Sequence, residues 1–238
     1  MQQGTFEPEE TAIVSRLLAH ADVFVNVGAN VGYYCCIALQ HGVRTIAVEP
    51  LSGNLRYLYQ NIRANHWEDR IEIFPLAVSA RTGLADIYGG GTGASLVRGW
   101  AGTSAHYVTV VPTTTLDSLL AGRAAGRRCL ILADIEGAEH DMLTGAEATI
   151  LLNPRPMWLV EIAVEHHQPA AVPVNPFFQT TFRRFWEAGY EAWTADRNLR
   201  LVTASDVAAI QSAGTNTLGT HNFLFIEAGH RADLLPTS

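Results

Sequence analysis

The sequence predicts a single α/β domain with a mostly parallel β-sheet, and three observations indicate this fold class. Short apolar runs typical of buried strands alternate along the 238 residues with segments of helical periodicity. The first predicted strand, residues 22–27, leads through a glycine-containing turn into a helix. Three predicted strands end on acidic residues, and open α/β sheets bind ligands at that end. With 48% apolar residues, the chain can form one domain with a substantial core.

The first part of the chain alternates helices with strands, and the helices have local signals. Glu9 and Glu10 occupy the first turn of the first helix, where negative charge is favourable. Gly42 follows the second helix as a C-cap, and the third helix carries apolar residues at helical spacing. The predicted elements are a helix at 8–20, a strand at 22–27, a helix at 33–40, a strand at 44–48, a helix from Ser52 or Asn54 to about Asn65, and a strand at 70–74.

A long glycine-rich segment, residues 89–106, separates two predicted strands at 84–88 and 107–111, which we interpret as a hairpin. Long loops inside compact domains are uncommon, and they are usually either functional or disordered. We therefore expect the glycine-rich segment to be either a lid over a binding site or a mobile loop.

The rest of the chain continues the alternation. Residues 129–133 form a nearly continuous apolar run, as a strand buried on both faces requires. No long crossover helix is evident between the last two strands, which predicts an antiparallel edge. The other predicted elements are a short helix after Thr115, a helix reaching about Leu152, a strand at 157–162, a proline-rich loop at 166–176, a helix capped by Asn175 with Pro176 at its first position, and strands at 190–194 and 222–227.

The composition excludes several classes of function. A net charge of −7 with scattered arginines argues against a nucleic-acid partner and against an anionic membrane surface. No apolar stretch approaches the roughly 20 residues that a membrane-spanning helix needs. The first residues lack the pattern of a signal peptide, and three cysteines form neither a disulfide framework nor a zinc site. We therefore expect a cytoplasmic protein.

The turn after the first strand predicts a nucleoside site. Gly28 and Gly32 let the backbone pass close to a ligand, and the helix that follows offers free N–H groups at its start. A dinucleotide-binding loop has glycine at the position where Asn30 stands. This departure weakens the prediction of a dinucleotide and favours a nucleoside without phosphates.

The acids at the strand ends are the next candidates. Glu49 suits a ribose diol, because one carboxylate can accept hydrogen bonds from two hydroxyls; its alternative is a solvated acid before Pro50. Asp134 and Glu161 are either ligand groups or structural side chains such as a helix cap. His166, on the proline-rich loop, is either an exposed histidine or a general base.

On these residues, the chain resembles the FkbM-type branch of class I S-adenosylmethionine-dependent methyltransferases. The pair made by G-A-N-x-G-Y-Y and D-x-E-G-A-E, about a hundred residues apart, is the specific part of the resemblance. The resemblance runs from about Thr5 to Ile226. The segments that carry it are Gly4–Pro8, Val25–Tyr34, Ala47–Pro50, Asn61–Ile62, Thr115–Asp117, Asp134–Glu139 and Pro156–Glu161.

The resemblance implies a single Rossmann-like methyltransferase domain with a seven-stranded, mostly parallel sheet, one antiparallel strand and helices on both faces. It also implies S-adenosyl-L-methionine as the cofactor. The cofactor residues that it implies are Glu7, Asn26, Gly28, Ala29, Asn30, Gly32, Tyr33, Glu49, Asn54, Ala77 and Val78. Two positions depart from the family pattern: Asn26 stands where Asp is usual, and Leu132 stands where Lys is usual.

Methyl transfer to a hydroxyl needs a base near the acceptor oxygen. We expect Asp134 to be that base, with Glu136 or Glu161 orienting the acceptor and His166 as the next candidate. Alternatively, the same carboxylates bind a divalent cation that acidifies the hydroxyl, although no ligand spacing in the sequence demonstrates such a site. The resemblance implies a sugar hydroxyl, on a glycan or a specialised metabolite, as acceptor. Trp100 and Trp193 either stack on that sugar or pack in the core.

Two other functions remain open on the sequence alone. A nicotinamide-dependent oxidoreductase would use a similar fold, although the missing third glycine disfavours it. A non-catalytic nucleoside-binding module with a methyltransferase fold is the other alternative, and the departures at Asn26 and Leu132 motivate it. The sequence does not define the oligomeric state.

Overall fold

The computed structural model describes residues 7–230 and residue 234, so the segment Gly4–Phe6 of the resemblance lies outside the described residues. The described part contains an eight-stranded sheet, a three-stranded sheet and helices that cover both faces of the larger sheet. None of its helices is long and apolar enough to cross a membrane.

The first half of the chain follows the predicted order closely. Its elements are α1 (Pro8–Leu18), β1 (Val23–Val27), α2 (Tyr33–Gln40), β2 (Arg44–Val48), α3 (Ser52–Ala64), β3 (Ile71–Phe74), β4 (Ala77–Val78), β5 (Gly83–Tyr88), β6 (Val108–Thr114) and α4 (Leu116–Leu120). β5 and β6 form the expected antiparallel hairpin. The two-residue β4 was too short to be predicted, and it joins β6 to complete the small sheet.

The second half contains two elements that the sequence analysis missed. Its elements are β7 (Cys129–Ala133), α5 (Glu139–Thr144), β8 (Met157–Glu161), α6 (Phe178–Glu187), β9 (Tyr190–Thr194), β10 (Leu201–Val202), α7 (Ala204–Ala213) and β11 (Asn222–Glu227). β10 and α7 are the missed elements. The signal for α7 was present, because Thr203 and Asp206 form a capping box at its start.

The eight-stranded sheet has the order β10-β9-β11-β8-β7-β1-β2-β3. The five strands β8, β7, β1, β2 and β3 are parallel to one another, and β11 is antiparallel to both β8 and β9. The seven expected strands are therefore present, and β10 adds a short antiparallel edge. The predicted antiparallel pairing of the last two strands is confirmed, because β11 pairs with β9. The predicted edge position is wrong, because β11 lies inside the sheet, between β9 and β8. The segment between β9 and β11, which contains β10 and α7, is long enough to cross from one side of β9 to the other.

The central strands of the sheet are buried on both faces. Because β8, β7, β1, β2 and β3 are parallel, their carboxyl ends lie at one common rim. Every residue of β1 and of β7 is buried. One face packs on α1 and α2, and the other packs on α4, α5 and α6. The aromatic residues of α6 are core residues, as expected, since Phe185 stacks on Phe225 with ring centroids 3.8 Å apart.

Two predicted helix boundaries were wrong. The helix after the acid motif ends at Thr144 rather than near Leu152, and only a short 3-10 turn follows at 149–151. Gly145 is the C-cap of α5, and a Cβ atom there would lie 2.3 Å from the backbone oxygen of Ser79, so only glycine fits at this helix end. Asn175 accepts a hydrogen bond from the Phe177 N–H at 2.9 Å, but α6 begins only at Phe178.

Candidate functional site

A cleft opens at the carboxyl ends of β1, β2 and β7. Its cavity volume is about 180 Å³, and its mouth is open to solvent. Ten of the eleven residues expected to hold a cofactor line it: Glu7, Asn26, Gly28, Ala29, Asn30, Tyr33, Glu49, Asn54, Ala77 and Val78. Segments far apart in sequence therefore meet in one cavity.

Gly28 forms the tightest point of the turn. Its φ is +86°, and a Cβ atom at this position would lie 2.0 Å from the backbone oxygen of Asp134. Only glycine therefore allows the ends of β1 and β7 to touch. Gly32 is the eleventh expected residue, and the structure does not bring it to the cleft wall. Its Cα faces the side chain of Leu58 instead, so Gly32 serves the packing of α3.

Glu49 is buried, with 4% of its surface exposed, and its carboxylate holds the glycine turn. It accepts hydrogen bonds from the Asn30 N–H at 2.9 Å, the Leu51 N–H at 2.8 Å and the Asn54 amide at 3.1 Å. Burial raises the pKa of Glu49, and these three donors oppose that shift. A carboxylate has about four acceptor positions, so roughly one is left for a ligand hydroxyl rather than the two expected from the sequence.

Two asparagine oxygens beside the turn have no hydrogen-bond partner within the described part of the chain. They are the Oδ1 atoms of Asn26 and Asn30. Asn26 is 2% exposed and lines the cleft, and its amide nitrogen donates only to the sulfur of Cys35, at 3.6 Å. A buried acceptor without a donor is costly, so these atoms suit a ligand that brings N–H or O–H groups.

Carboxyl groups cluster where the cleft meets a second, smaller cavity. Asp134 lines both cavities, Glu136 lines the first, and Glu161 lines the second. Burial and the charges of Glu161 and Glu136 raise the pKa of Asp134 well above its ordinary value. Burial, followed by the charge of Glu136, raises the pKa of Glu161 to about 7. No Lys, Arg or His is among the described residues that line either cavity.

His166 is not part of this cluster, contrary to the expectation that it is the next candidate base. Its side chain is 59% exposed, and its Nε2 lies 3.9 Å from the carboxylate of Glu165. Its ring packs edge-on against His221, with centroids 4.8 Å apart, and it lines neither cavity. Among residues 7–230 and 234, no three His, Cys, Asp or Glu side chains are arranged to hold a metal ion.

The sequence analysis missed several residues of the two cavities. Tyr34 lines both, and its hydroxyl donates to the carboxylate of Glu7 at 2.6 Å. Glu10 and Asn222 line the smaller cavity and are hydrogen-bonded to each other at 3.1 Å. Tyr34 had a signal, because it follows Tyr33 in the glycine motif. Asn222 had none, because it reaches the site only through its pairing with β8.

The glycine-rich segment forms one wall of the cleft. Gly91, Thr92, Ala94 and Leu96 line it, and the Gly91 oxygen accepts a hydrogen bond from the Asn54 amide at 3.1 Å. Trp100 is 3% exposed and therefore packs inside the protein rather than presenting a face to a sugar. Trp193 lies on β9 and packs against the core beside α1.

The raised pKa of Glu161 predicts a pH-dependent stability. Between the ordinary pKa of 4.5 and a value of about 7, the folded protein binds more protons than the unfolded chain, so its stability falls as the pH rises. We expect Glu161→Gln to raise the melting temperature at pH 8 by about 3 °C or more and to have little effect at pH 4. Glu187→Gln, at an exposed position on α6, is the control and should show no such difference. A lower melting temperature for Glu161→Gln at pH 8 would contradict this electrostatic account.

Known proteins are similar to this chain in sequence pattern and in fold. The profile described as the methyltransferase FkbM domain matches residues 26–192. The crystal structure of methyltransferase FkbM from Methylobacillus flagellatus is similar with a TM-score of 0.51 and 16% identity, covering 87% of this chain and 44% of that one. This chain thus spans less than half of that protein.

Two further crystal structures resemble the chain less closely. An O-methyltransferase from Bacillus cereus in complex with SAH has a TM-score of 0.49 and 14% identity, over 94% of this chain and 82% of that one. A protein described as an O-methyltransferase from Klebsiella pneumoniae has a TM-score of 0.46 and 12% identity, over 96% and 84%. No curated protein matches the sequence significantly.

Proposed function

The chain belongs to the FkbM methyltransferase family, and from this premise we propose that it transfers a methyl group from S-adenosylmethionine to a hydroxyl oxygen of a sugar. The sugar belongs to a glycan or to a specialised metabolite. The observation that carries the proposal is the half-buried carboxyl pair Asp134 and Glu161, next to a cleft that suits an adenosyl cofactor.

The residues of the cleft suit the proposed cofactor at three points. The unpartnered Oδ1 of Asn26 is an acceptor for the amino group of its methionine part. The remaining acceptor position of Glu49 suits a ribose hydroxyl. The apolar side chains of Ala77, Val78 and Ile87 form a wall suited to the adenine ring. When bound, S-adenosylmethionine supplies an electrophilic methyl group on a positively charged sulfur.

The carboxyl pair provides the proton acceptor. The side chains of Asp134 and Glu161 are hydrogen-bonded to each other, and two carboxyls in direct contact do not both ionise readily. The pair therefore holds one proton near neutral pH and keeps one basic oxygen. We assign Asp134 as the base that removes the hydroxyl proton, because it lies where the two cavities meet. Glu161 holds the proton that the pair already carries, Asp134 takes the hydroxyl proton, and the methyl group leaves the cofactor sulfur for the acceptor oxygen. The polar side chains around the smaller cavity orient the acceptor within attacking distance, about 3 Å.

The polar side chains around the smaller cavity favour a polyhydroxyl acceptor at its rim, because the cavity itself, about 10 Å³, has room for about one water molecule. The polar side chains that line it are Glu7, Glu10, Asp134, Glu161 and Asn222, together with the Tyr34 hydroxyl. Most of their exposed atoms accept hydrogen bonds, and sugar hydroxyls are donors that complement them. Carboxylates also suit the positive charge that a methyl donor brings into the neighbouring cleft.

Binding of S-adenosylhomocysteine, measured by calorimetry, tests the cofactor proposal directly. We expect the unaltered protein to bind it and Glu49→Ala to bind about 10–100-fold more weakly, because a hydrogen bond to a charged group contributes about 1.5–3 kcal/mol. Glu187→Ala, at an exposed position on α6, is the control and should bind normally.

The outcomes separate the alternatives. No heat with millimolar S-adenosylhomocysteine, together with binding of NADH, would replace the proposal with an oxidoreductase. Binding without methylation of any sugar in a broad panel would favour a non-catalytic module. The acceptor itself can be found by mass spectrometry of glycans from cells with and without the gene, as a gain of one methyl group.

A further inference from the structure

The glycine-rich segment is attached to the acid motif through Trp100 and Ser95. The indole Nε1 of Trp100 donates to the Oε2 of Glu136 at 2.6 Å. Its ring covers Gly137 so closely that a Cβ atom there would lie 2.4 Å from the ring. Ser95 adds a hydrogen bond from its hydroxyl to the Glu136 backbone oxygen at 2.5 Å. The glycine-rich segment, which the sequence predicts to be either a lid or a mobile loop, is thus held against the side chain of Glu136.

The same tryptophan also connects the segment to the proline-rich loop. The Trp100 and His167 rings lie 6.0 Å apart, and the Ala101 N–H donates to the His167 oxygen at 2.7 Å. On its other side, the segment supplies the wall of the cleft from Gly91 to Leu96. Loss of the Trp100 hydrogen bond would remove one of the two hydrogen bonds, from Trp100 and Ser95, that join this wall to the acid motif within the described residues.

The position of Glu136 matters because its charge acts on the carboxyl pair. The Glu136 carboxylate raises the pKa of both Asp134 and Glu161, and the charge of Glu7 acts in the same direction on both. Glu139, which is fully buried, adds to the effect on Glu161. No cationic side chain lines the cavities to offset these charges within the described residues. Like-charge repulsion would therefore push an unheld Glu136 carboxylate away from the pair.

We propose that Trp100 is a positioning residue, whose indole N–H keeps the Glu136 carboxylate beside the Asp134–Glu161 pair and thereby fastens the glycine-rich segment over the cofactor cleft. The state of this wall and the charge next to the carboxyl pair are then linked through one hydrogen bond. The inference rests on the proposed function only for the use of the pair in methyl transfer, and its test requires no turnover.

Trp100→Phe is the decisive variant, because phenylalanine keeps a ring over Gly137 but removes the donor. The first measurement is trypsin cleavage of the folded protein after Arg98, an exposed residue of the segment. We expect cleavage to be about tenfold faster or more in Trp100→Phe, since a lost hydrogen bond to a carboxylate favours local opening. The control is Trp186→Phe on α6, which should be cleaved at the normal rate.

The second measurement is the titration of the Glu161 carboxyl by carbon NMR, with the signal assigned by its loss in Glu161→Gln. We expect its pKa to fall in Trp100→Phe, because the Glu136 charge moves away, and to fall in Glu136→Gln, where that charge is absent. Combining the two substitutions should add no further decrease. A tryptophan that only packs would leave this titration unchanged in Trp100→Phe.

An unchanged cleavage rate at Arg98, or an unchanged Glu161 titration in Trp100→Phe, overturns the proposal. Trp100→Ala serves as a check on packing, because it removes both the ring and the donor and should lower the melting temperature more than Trp100→Phe. Failure of the protein to bind S-adenosylhomocysteine would overturn the proposed function while leaving both of these measurements interpretable.

Discussion

Asp134→Asn is expected to slow methyl transfer by at least about 100-fold while leaving the affinity for S-adenosylhomocysteine nearly unchanged. An amide has nearly the size of the carboxyl group but cannot take the proton of the acceptor hydroxyl. The rate is measured as labelled methyl transferred from S-adenosylmethionine to an acceptor that the unaltered protein methylates. Asp141→Asn, at an exposed position on α5 outside both cavities, is the matched control and should be fully active.

The pH dependence of the same reaction follows from the carboxyl pair. The base acts only when the pair has lost a proton, and the pKa of Glu161 is raised to about 7. The rate should therefore rise as the pH increases through neutrality, and Glu136→Gln should move this rise to lower pH. A normal rate in Asp134→Asn would show that Asp134 is not the base. Glu161 would then be the next residue to test, rather than the distant His166.

Gly28→Ala is expected to abolish measurable cofactor binding, a loss of about 1,000-fold or more. A Cβ atom at this position would lie 2.0 Å from the Asp134 backbone oxygen, and the φ of +86° is itself unfavourable for alanine. The end of β1 or the end of β7 would have to move. Because Asn30 and Asp134 depend on these two ends, either movement disrupts both the turn held by Glu49 and the proposed base.

Gly53→Ala is the matched control for this substitution. Gly53 lies in α3, has no unfavourable φ, and nothing lies within 4 Å of an added Cβ atom. Alanine there should stabilise the helix by up to about 1 kcal/mol and leave binding intact. Calorimetry with S-adenosylhomocysteine and a thermal melt separate loss of binding from loss of folding. Normal binding by Gly28→Ala would refute the close contact between the two strand ends.

The sequence was most informative where structure is determined locally. The apolar runs of β1, β2 and β7 and the periodicity of α3 correctly predicted these elements, because strand and helix signals span only a few residues. Local signals are insufficient where longer-range contacts decide. The C-cap of α5 must be glycine, Gly145, because the Ser79 backbone, more than 60 positions earlier in the chain, lies against it.

The site divides in the same way. The glycine turn and the strand-end acids were visible because their spacing follows from the βαβ unit. Contacts between separate segments decide the rest. They determine which three donors hydrogen-bond to the Glu49 carboxylate, and they leave His166 exposed. Loops such as 89–106 and 166–176 have no periodic pattern, so their contacts cannot be obtained from local sequence.

The amino-acid sequence by itself determined the α/β fold class, the order of the longer strands and most of the helices, and the resemblance to one methyltransferase family. These properties depend on apolar patterns and on motifs whose residues are close together in the chain. Only the tertiary structure decided that β11 lies between β8 and β9, that Gly32 faces α3 rather than the cleft, and that Trp100 holds Glu136. Each of these depends on which distant surfaces pack together, and packing is a property of the whole fold.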